Sequence, residues 1–207
     1  MTSRLRLGID MDGVLSNFVQ HFLDKANDQY SLKVKYADII DPKLEEIFWN
    51  QIPNAVKLEK GLATSIDFMK SVIGPGFFLD LKAYPNSVLA VKQLAKKFDI
   101  VFITKPFELT FSTKEKSDWL KKNFSNIDYN LVFVDHFSSK RFLDVDIMID
   151  DEPRVLEHLV TQLGVCVKQP WNASWLEENE HLVHSAIEDM IEVFDKCVEI
   201  EKEINFG

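Results

Sequence analysis

Positive charge is in short supply in this chain. Its 207 residues include 24 Lys and Arg against 33 Asp and Glu, for a net charge of -9. No basic stripe is visible, so polymeric nucleic acid is not an expected partner. An anionic small molecule would need local help, from a metal ion or a lysine. Cysteine is scarcer still: Cys166 lies in an apolar run and Cys197 in a helical pattern. Such a pair implies buried free thiols in a reducing compartment rather than a disulfide framework. No apolar run approaches membrane-spanning length, and the amino terminus has no apolar leader segment. The expectation is a cytoplasmic protein without a membrane partner.

What is present is enough for a core. Hydrophobic residues make up 46% of the chain, and its length fits one domain with an inserted part, or two small domains. Phe supplies 16 of the aromatic residues against 4 Trp and 4 Tyr. That excess raises the question of an aromatic-lined pocket, although most such rings are ordinary core.

The stretch Gly8-Ile9-Asp10-Met11-Asp12-Gly13-Val14 organises the rest. Leu5 to Ile9 alternates apolar residues at period two, which predicts a short buried strand. On an extended backbone residues i and i+2 point to the same side, so Asp10 and Asp12 can converge at the strand's carboxyl end. In open α/β sheets ligands bind at that end. Two carboxylates so close repel unless a cation or proton sits with them, and a hard ion such as Mg²⁺ suits oxygen ligands. An acidic turn without chemistry is the plain alternative. An EF-hand loop is excluded, because Leu15 stands where that loop needs its glycine.

Downstream, residues 15–30 are expected to form a helix, and about 31–75 an irregular helical and aromatic region. Gly74-Pro75-Gly76 then breaks the chain. Regular alternation follows. Helices are expected over 86–98, 113–124 and 153–163, and strands over 100–103, 131–134, 146–149 and 164–168, the last taken as the final strand. A long acidic helix is expected over 175–204, with Leu182, Ile187, Met190, Ile191, Phe194 and Val198 as its apolar face. Strands alternating with helices argue a Rossmann-like parallel sheet. The helical region reads as a cap inserted after the first strand. That gives a core domain of residues 1–14 and 77–207 and a cap domain of residues 15–76.

Three strands end in polar residues that a buried strand has no reason to carry: Asp10-x-Asp12, Thr104 and Asp150-Asp151. A parallel sheet puts those ends on one edge, around one crevice, and Lys140 precedes the last of them. Each residue alone has an ordinary explanation: a capping threonine, a solvated lysine, an acidic helix cap before Pro153. Their joint occurrence is the signal.

These motifs, in this order, resemble the haloacid dehalogenase superfamily phosphatases, and among them the 5'(3')-deoxyribonucleotidases. The resemblance rests on Asp10 to Leu15 with Phe18, on Val101 to Thr104 with Pro106, on Lys140, and on Asp146 to Asp151 with Pro153. Phe77 to Leu81 and Pro85 match the segment leading out of the cap. The resemblance spans residues 4–153 and leaves out the carboxy-terminal helix. It implies a phosphomonoesterase of deoxyribonucleoside monophosphates that works through an aspartyl-phosphate. Asp10 would be the nucleophile and Asp12 the general acid and then base. Mg²⁺ would be held by Asp10, the Asp12 carbonyl and Asp151, with Asp150 behind them. Thr104 and Lys140 would hold the phosphate.

The same resemblance puts Phe18, Phe48 and Trp49 near base and sugar, and Phe68 less directly. Two positions depart from the family. Lys105 stands where a small hydroxyl residue is usual, and is expected to join the phosphate site. Ser138 stands where an arginine is usual, with His136 nearby. A phosphatase for another small phosphate, such as a sugar phosphate, and a non-catalytic nucleotide-binding protein are the alternatives. Packing of the last helix on its own domain is expected, with a homodimer contact the lesser alternative.

Overall fold

The structure is a computed structural model that describes residues 4–40, 44–160 and 162–206. Among these residues six strands form one sheet: β1 (Arg6–Ile9), β2 (Asp99–Thr104), β3 (Tyr129–Phe133), β4 (Ile147–Asp150), β5 (Leu163–Val167) and β6 (Ser185–Ile187). Their order is β3-β2-β1-β4-β5-β6, and every neighbouring pair is parallel. The fold is therefore α/β with a Rossmann-like sheet. The strand order reverses beside β1, which opens a crevice between the carboxyl ends of β1 and β4.

The central strands are apolar because both of their faces are covered. Leu7, Ile9, Ile147, Met148 and Ile149 are fully buried. Gly8 is required between them. A Cβ there would lie 2.8 Å from Ile103 Cδ1 and 2.9 Å from Met148 Sδ.

Between β1 and β2 the chain leaves the sheet for α1 (Phe18–Tyr30), α2 (Leu44–Trp49), α3 (Asn54–Glu59) and α4 (Ser65–Val72), then returns. The first helix begins three residues later than periodicity suggests. Gly13 turns the chain at φ +82°, and the amides of Leu15 and Ser16 both donate to the Met11 carbonyl. The outgoing chain is tied to the returning one: Asn17 N–H donates to the Lys82 carbonyl, and Lys82 N–H to Asn17 Oδ1. Thr64 and Asp67 cap α4 reciprocally. Phe22, Phe48 and Phe68 pack together with ring centroids 5.3 to 5.9 Å apart. They share one hydrophobic cluster with Leu7 and Ile9, so helices and sheet bury apolar surface in common.

The rest alternates as expected, with differences in extent. Helix α5 (Ser87–Leu94) ends short of Phe98, which is reached by a turn on the Leu94 carbonyl. Helix α6 (Ser112–Phe124) matches its expected span. Helix α7 (Pro153–Leu156) is one turn, not an element reaching residue 163. Gln162 turns its amide to the Arg141 and Leu143 carbonyls, and β5 starts at the next residue.

The carboxy-terminal stretch is not a single helix. It holds α8 (Ala173–Asn179), the edge strand β6 and α9 (Met190–Phe206). His184 N–H donates to the Gly164 carbonyl and Lys168 N–H to the Ile187 carbonyl, which pulls the middle of the stretch onto β5. Asp189 Oδ1 accepts from Ile191 N–H and starts the last helix. Its buried face is Met190, Val193, Cys197 and Ile200, packed on α5, whereas Leu182 and Ile191 are exposed. No helix among the described residues is long and apolar enough to cross a membrane.

Replacing Gly8 by Val should overpack the sheet centre and cost about 2–3 kcal/mol. Urea unfolding checks this; an unchanged midpoint would contradict the packing described here.

Candidate active site

The crevice collects the strand-end residues. Asp10 follows β1, and its N–H donates to the Ile149 carbonyl at 3.0 Å, which extends the β1–β4 pairing into the site. Asp150 ends β4, and Asp151 follows it. Lys140, on a 3₁₀ turn (Phe137–Phe142), is buried between the two strands. Its Nζ lies 2.7 Å from Asp10 Oδ1 and 2.7 Å from Asp150 Oδ2. Asp151 is fixed from the loop after β5. Trp171 Nε1 donates to its Oδ2 at 2.9 Å, and Asn172 Nδ2 to its backbone carbonyl at 2.8 Å. Gly13 is the other half of that fit, because a Cβ at this position would run into the Asp151 carboxylate.

Charge is not balanced here. Asp10, Asp150 and Asp151 are all buried, with ligand oxygens within 4.8 Å of one another, and among the described residues Lys140 is the cation that bonds two of them. Burial, helped by the Asp150 and Asp12 charges, pushes the Asp10 carboxyl up to about 7 despite the attraction of Lys140. Burial, with Asp150 and Asp10 beside it, holds Asp151 well above the usual carboxylate range. Burial works against the Lys140 ammonium, but its two carboxylate partners outweigh it and raise its pKa.

Such a donor set fits a hard divalent cation: all-oxygen, clustered, and carrying more negative charge than one lysine offsets. Asp151 and Asp10 border the cavity described below. Asp150 is turned away, with Oδ2 on Lys140 and Oδ1 accepting from Glu152 N–H.

The cavity, of about 320 Å³, has a mixed lining. Asp10, Asp12, Thr104, Lys105, Lys116 and Asp151 are among its polar residues, and Phe18, Val19, Ile66, Met69, Phe78 and Phe107 among its apolar ones. Lys140 does not line it. Its ammonium holds Asp10 from behind, a different placement from the expected contact with phosphate. Beside Lys105 the cavity lining holds a second lysine, one that sequence reasoning missed. Lys116 of α6 is buried, and its Nζ bonds Asp12 Oδ2 at 2.5 Å, Thr104 Oγ1 at 2.9 Å and the Lys105 carbonyl at 2.7 Å. Ser16 Oγ donates to the other Asp12 oxygen at 3.2 Å.

Among the expected ring contacts, Phe18 alone borders the cavity. Phe48 and Phe68 are fully buried in the packed rings of α1, α2 and α4. Trp49 lies half-buried with Lys57 Nζ 4.0 Å from its ring centroid. The structure thus places Phe48 and Phe68 in the helical core and Trp49 off the cavity lining, a different placement from the expected one. Phe107 and the fully buried Phe78 are in the lining as well. Ser138 and His136 bond each other, and no arginine stands there. Arg154 approaches the cavity from α7. It and Lys105 both stack on Phe137, at 4.6 and 4.8 Å from the ring centroid.

Residues 4–198 match the family described as 5' nucleotidase, deoxy (pyrimidine), cytosolic type C protein. The match runs into α9, beyond the span the motifs covered. A 5'(3')-deoxyribonucleotidase from Clostridium acetobutylicum is 30% identical over 152 residues, 73% of this chain and 76% of its own. A mitochondrial 5'(3')-deoxyribonucleotidase from Mus musculus is 29% identical over 157 residues, covering 73% and 66%. Among solved structures, a haloacid dehalogenase-like family hydrolase from Streptococcus pneumoniae superposes with a TM-score of 0.64. It is 11% identical and covers 94% of this chain and 99% of its own. That likeness concerns the fold.

The raised carboxyls set a pH dependence. Unfolded, Asp10 releases its proton near 3.8; folded, it keeps the proton until about 7. Between those values the folded state binds more protons, so its stability falls as pH rises. In EDTA, unfolding free energy should drop by on the order of 1–2 kcal/mol from about pH 5.5 to 7.5. Mg²⁺ should offset the drop and stabilise most at the higher pH. Urea titrations at both pH values check this; a Mg²⁺ effect larger at the lower pH would oppose the assignment.

Proposed function

The chain belongs to the 5' nucleotidase, deoxy (pyrimidine), cytosolic type C family, and from that membership we propose that it hydrolyses deoxyribonucleoside 5'(3')-monophosphates to nucleoside and phosphate. It is a phosphoric monoester hydrolase of the 5'-nucleotidase type. The observation that carries the reading is a single cavity lined both by paired carboxylates, a threonine and lysines and by aromatic rings.

In this mechanism an Asp10 carboxylate oxygen attacks phosphorus while the bond to the leaving sugar oxygen breaks. Asp12 gives its proton to that oxygen. Water then attacks the phosphorus of the aspartyl-phosphate. Asp12 takes a proton from the water, and the bond from phosphorus to Asp10 breaks to release phosphate. Lys140 keeps Asp10 aimed into the crevice through its bond to Oδ1. Thr104 and Lys105 meet the phosphoryl oxygens. Lys116, held on Thr104 and Asp12, adds positive charge beside them.

Mg²⁺ would be held by Asp10, the Asp12 carbonyl and Asp151, and when bound it supplies charge neutralisation at a phosphoryl oxygen. Phe18, half-buried on the cavity lining and backed by the fully buried Phe78 ring at a centroid distance of 6.2 Å, offers a flat surface to a nucleobase. In this reading residues 15–76 act as a cap domain that closes the crevice, and residues 1–14 and 77–207 as the core domain that carries the chemistry.

Asp10→Asn should lower kcat on dUMP or dTMP by at least about a thousandfold with the fold intact by circular dichroism. Chelation should stop the wild-type enzyme and added Mg²⁺ restore it. Wild-type turnover in the variant, or activity indifferent to thorough chelation, would sink the proposal.

A further inference from the structure

Helix α6 touches the catalytic centre with one residue and the chain returning from the helical segment with its neighbours. Lys116 bonds Asp12 and Thr104, as described. The residue before it, Glu115, is 7% exposed, and its carboxylate accepts two backbone amides of the returning chain. Gly76 N–H reaches Oε1 at 2.6 Å, and Phe78 N–H reaches Oε2 at 3.2 Å. One helical turn on, Trp119 Nε1 donates to the Leu81 carbonyl at 2.7 Å.

A buried carboxylate is costly unless donors surround it, and a fully apolar helix face would pack here without that cost. Glu115 uses both oxygens on amides that no strand or helix partner of their own claims. Gly76, at φ +88°, turns the chain so that the amide at 78 can reach the second oxygen. The residue placed by this grip is Phe78. Its fully buried ring lies 5.2 Å from Lys116 Nζ and stacks with Phe18, and both of these neighbours line the cavity.

We infer that Glu115 is a positioning residue for substrate selection: by clamping the Gly76 and Phe78 amides it holds the Phe78 ring at a fixed distance from Asp12, which sets the preference for ring-bearing phosphates over small ones. This rests on the proposed reading of the site, in which a base lies against Phe18 with Phe78 behind it. The carboxylate is needed because it has two acceptors. Glutamine keeps one acceptor and turns an N–H₂ group toward the other amide, setting donor against donor. Alanine removes both.

The test compares wild type, Glu115→Gln and Glu115→Ala on dTMP and on ribose 5-phosphate, with amide exchange of the peptide spanning 76–81 read in parallel. The expected result is a fall of about tenfold in the ratio of kcat/KM values for Gln and a larger fall for Ala. It should come through KM for dTMP, with kcat on both substrates within about twofold of wild type. Exchange at 76–81 should quicken while α6 stays protected. A variant that merely folds less well loses both substrates in proportion, leaves the ratio unmoved, and overturns the inference. Should the wild type show no preference for dTMP, the proposed base site fails instead. Exchange then still decides the clamp, and unchanged protection at 76–81 removes it.

Discussion

The whole site depends on an unpaid electrostatic debt at the ends of two adjacent strands. Asp10, Asp150 and Asp151 are buried within a few ångströms of each other, and one ammonium, Lys140, answers them. Burying like charges together is among the costliest arrangements a fold can hold, and breaking one pair leaves an uncompensated ion. The sheet enforces it anyway. β1 and β4 are neighbours in register, with Ile9 opposite Ile149, so the residues that follow them must share the crevice. Gly13 and Trp171 then close the carboxylate of Asp151 from two sides. In the proposed reading that cost is offset by a place where a cation and a phosphoryl group are both held.

The two buried lysines divide the work. Lys140 comes from a turn beside β4 and holds the carboxylate of Asp10 from behind. Lys116 comes from α6 and faces the cavity, on Asp12 and Thr104. Asp10 and Asp12 therefore leave the same strand end with different partners, which is what two carboxylates with separate tasks require. The Phe18–Phe78 pair at the cavity comes from other elements. Phe18 opens α1 and Phe78 lies on the returning chain, so the reach from ring wall to acid is set where helical segment and sheet meet.

Much of this was legible along the chain. Apolar runs ending abruptly in Asp10, Thr104 and Asp150-Asp151 disclose buried parallel strands and the edge on which they end, because period and burial are local properties. Lys116 was not legible. It stands among Lys114, Lys121 and Lys122, which read as a solvated helix face, and only the packing of α6 under the crevice buries it. The rings of Phe48 and Phe68 misled in the opposite direction, since an aromatic fits a core and a binding wall equally well. Strand β6 was hidden for another reason. Three residues at a sheet edge carry no periodic signal, and their apolar neighbours at 182 and 190–198 mimic a continuing helix.

The account stands or falls on whether the buried carboxylates bind a divalent ion as a unit. Calorimetric titration of the metal-free protein with Mg²⁺ or Mn²⁺, without any substrate, addresses this most directly. Wild type should show saturable binding at a single site that Asp151→Asn weakens by at least about tenfold. Binding that is absent in wild type, or untouched in Asp151→Asn, would contradict it.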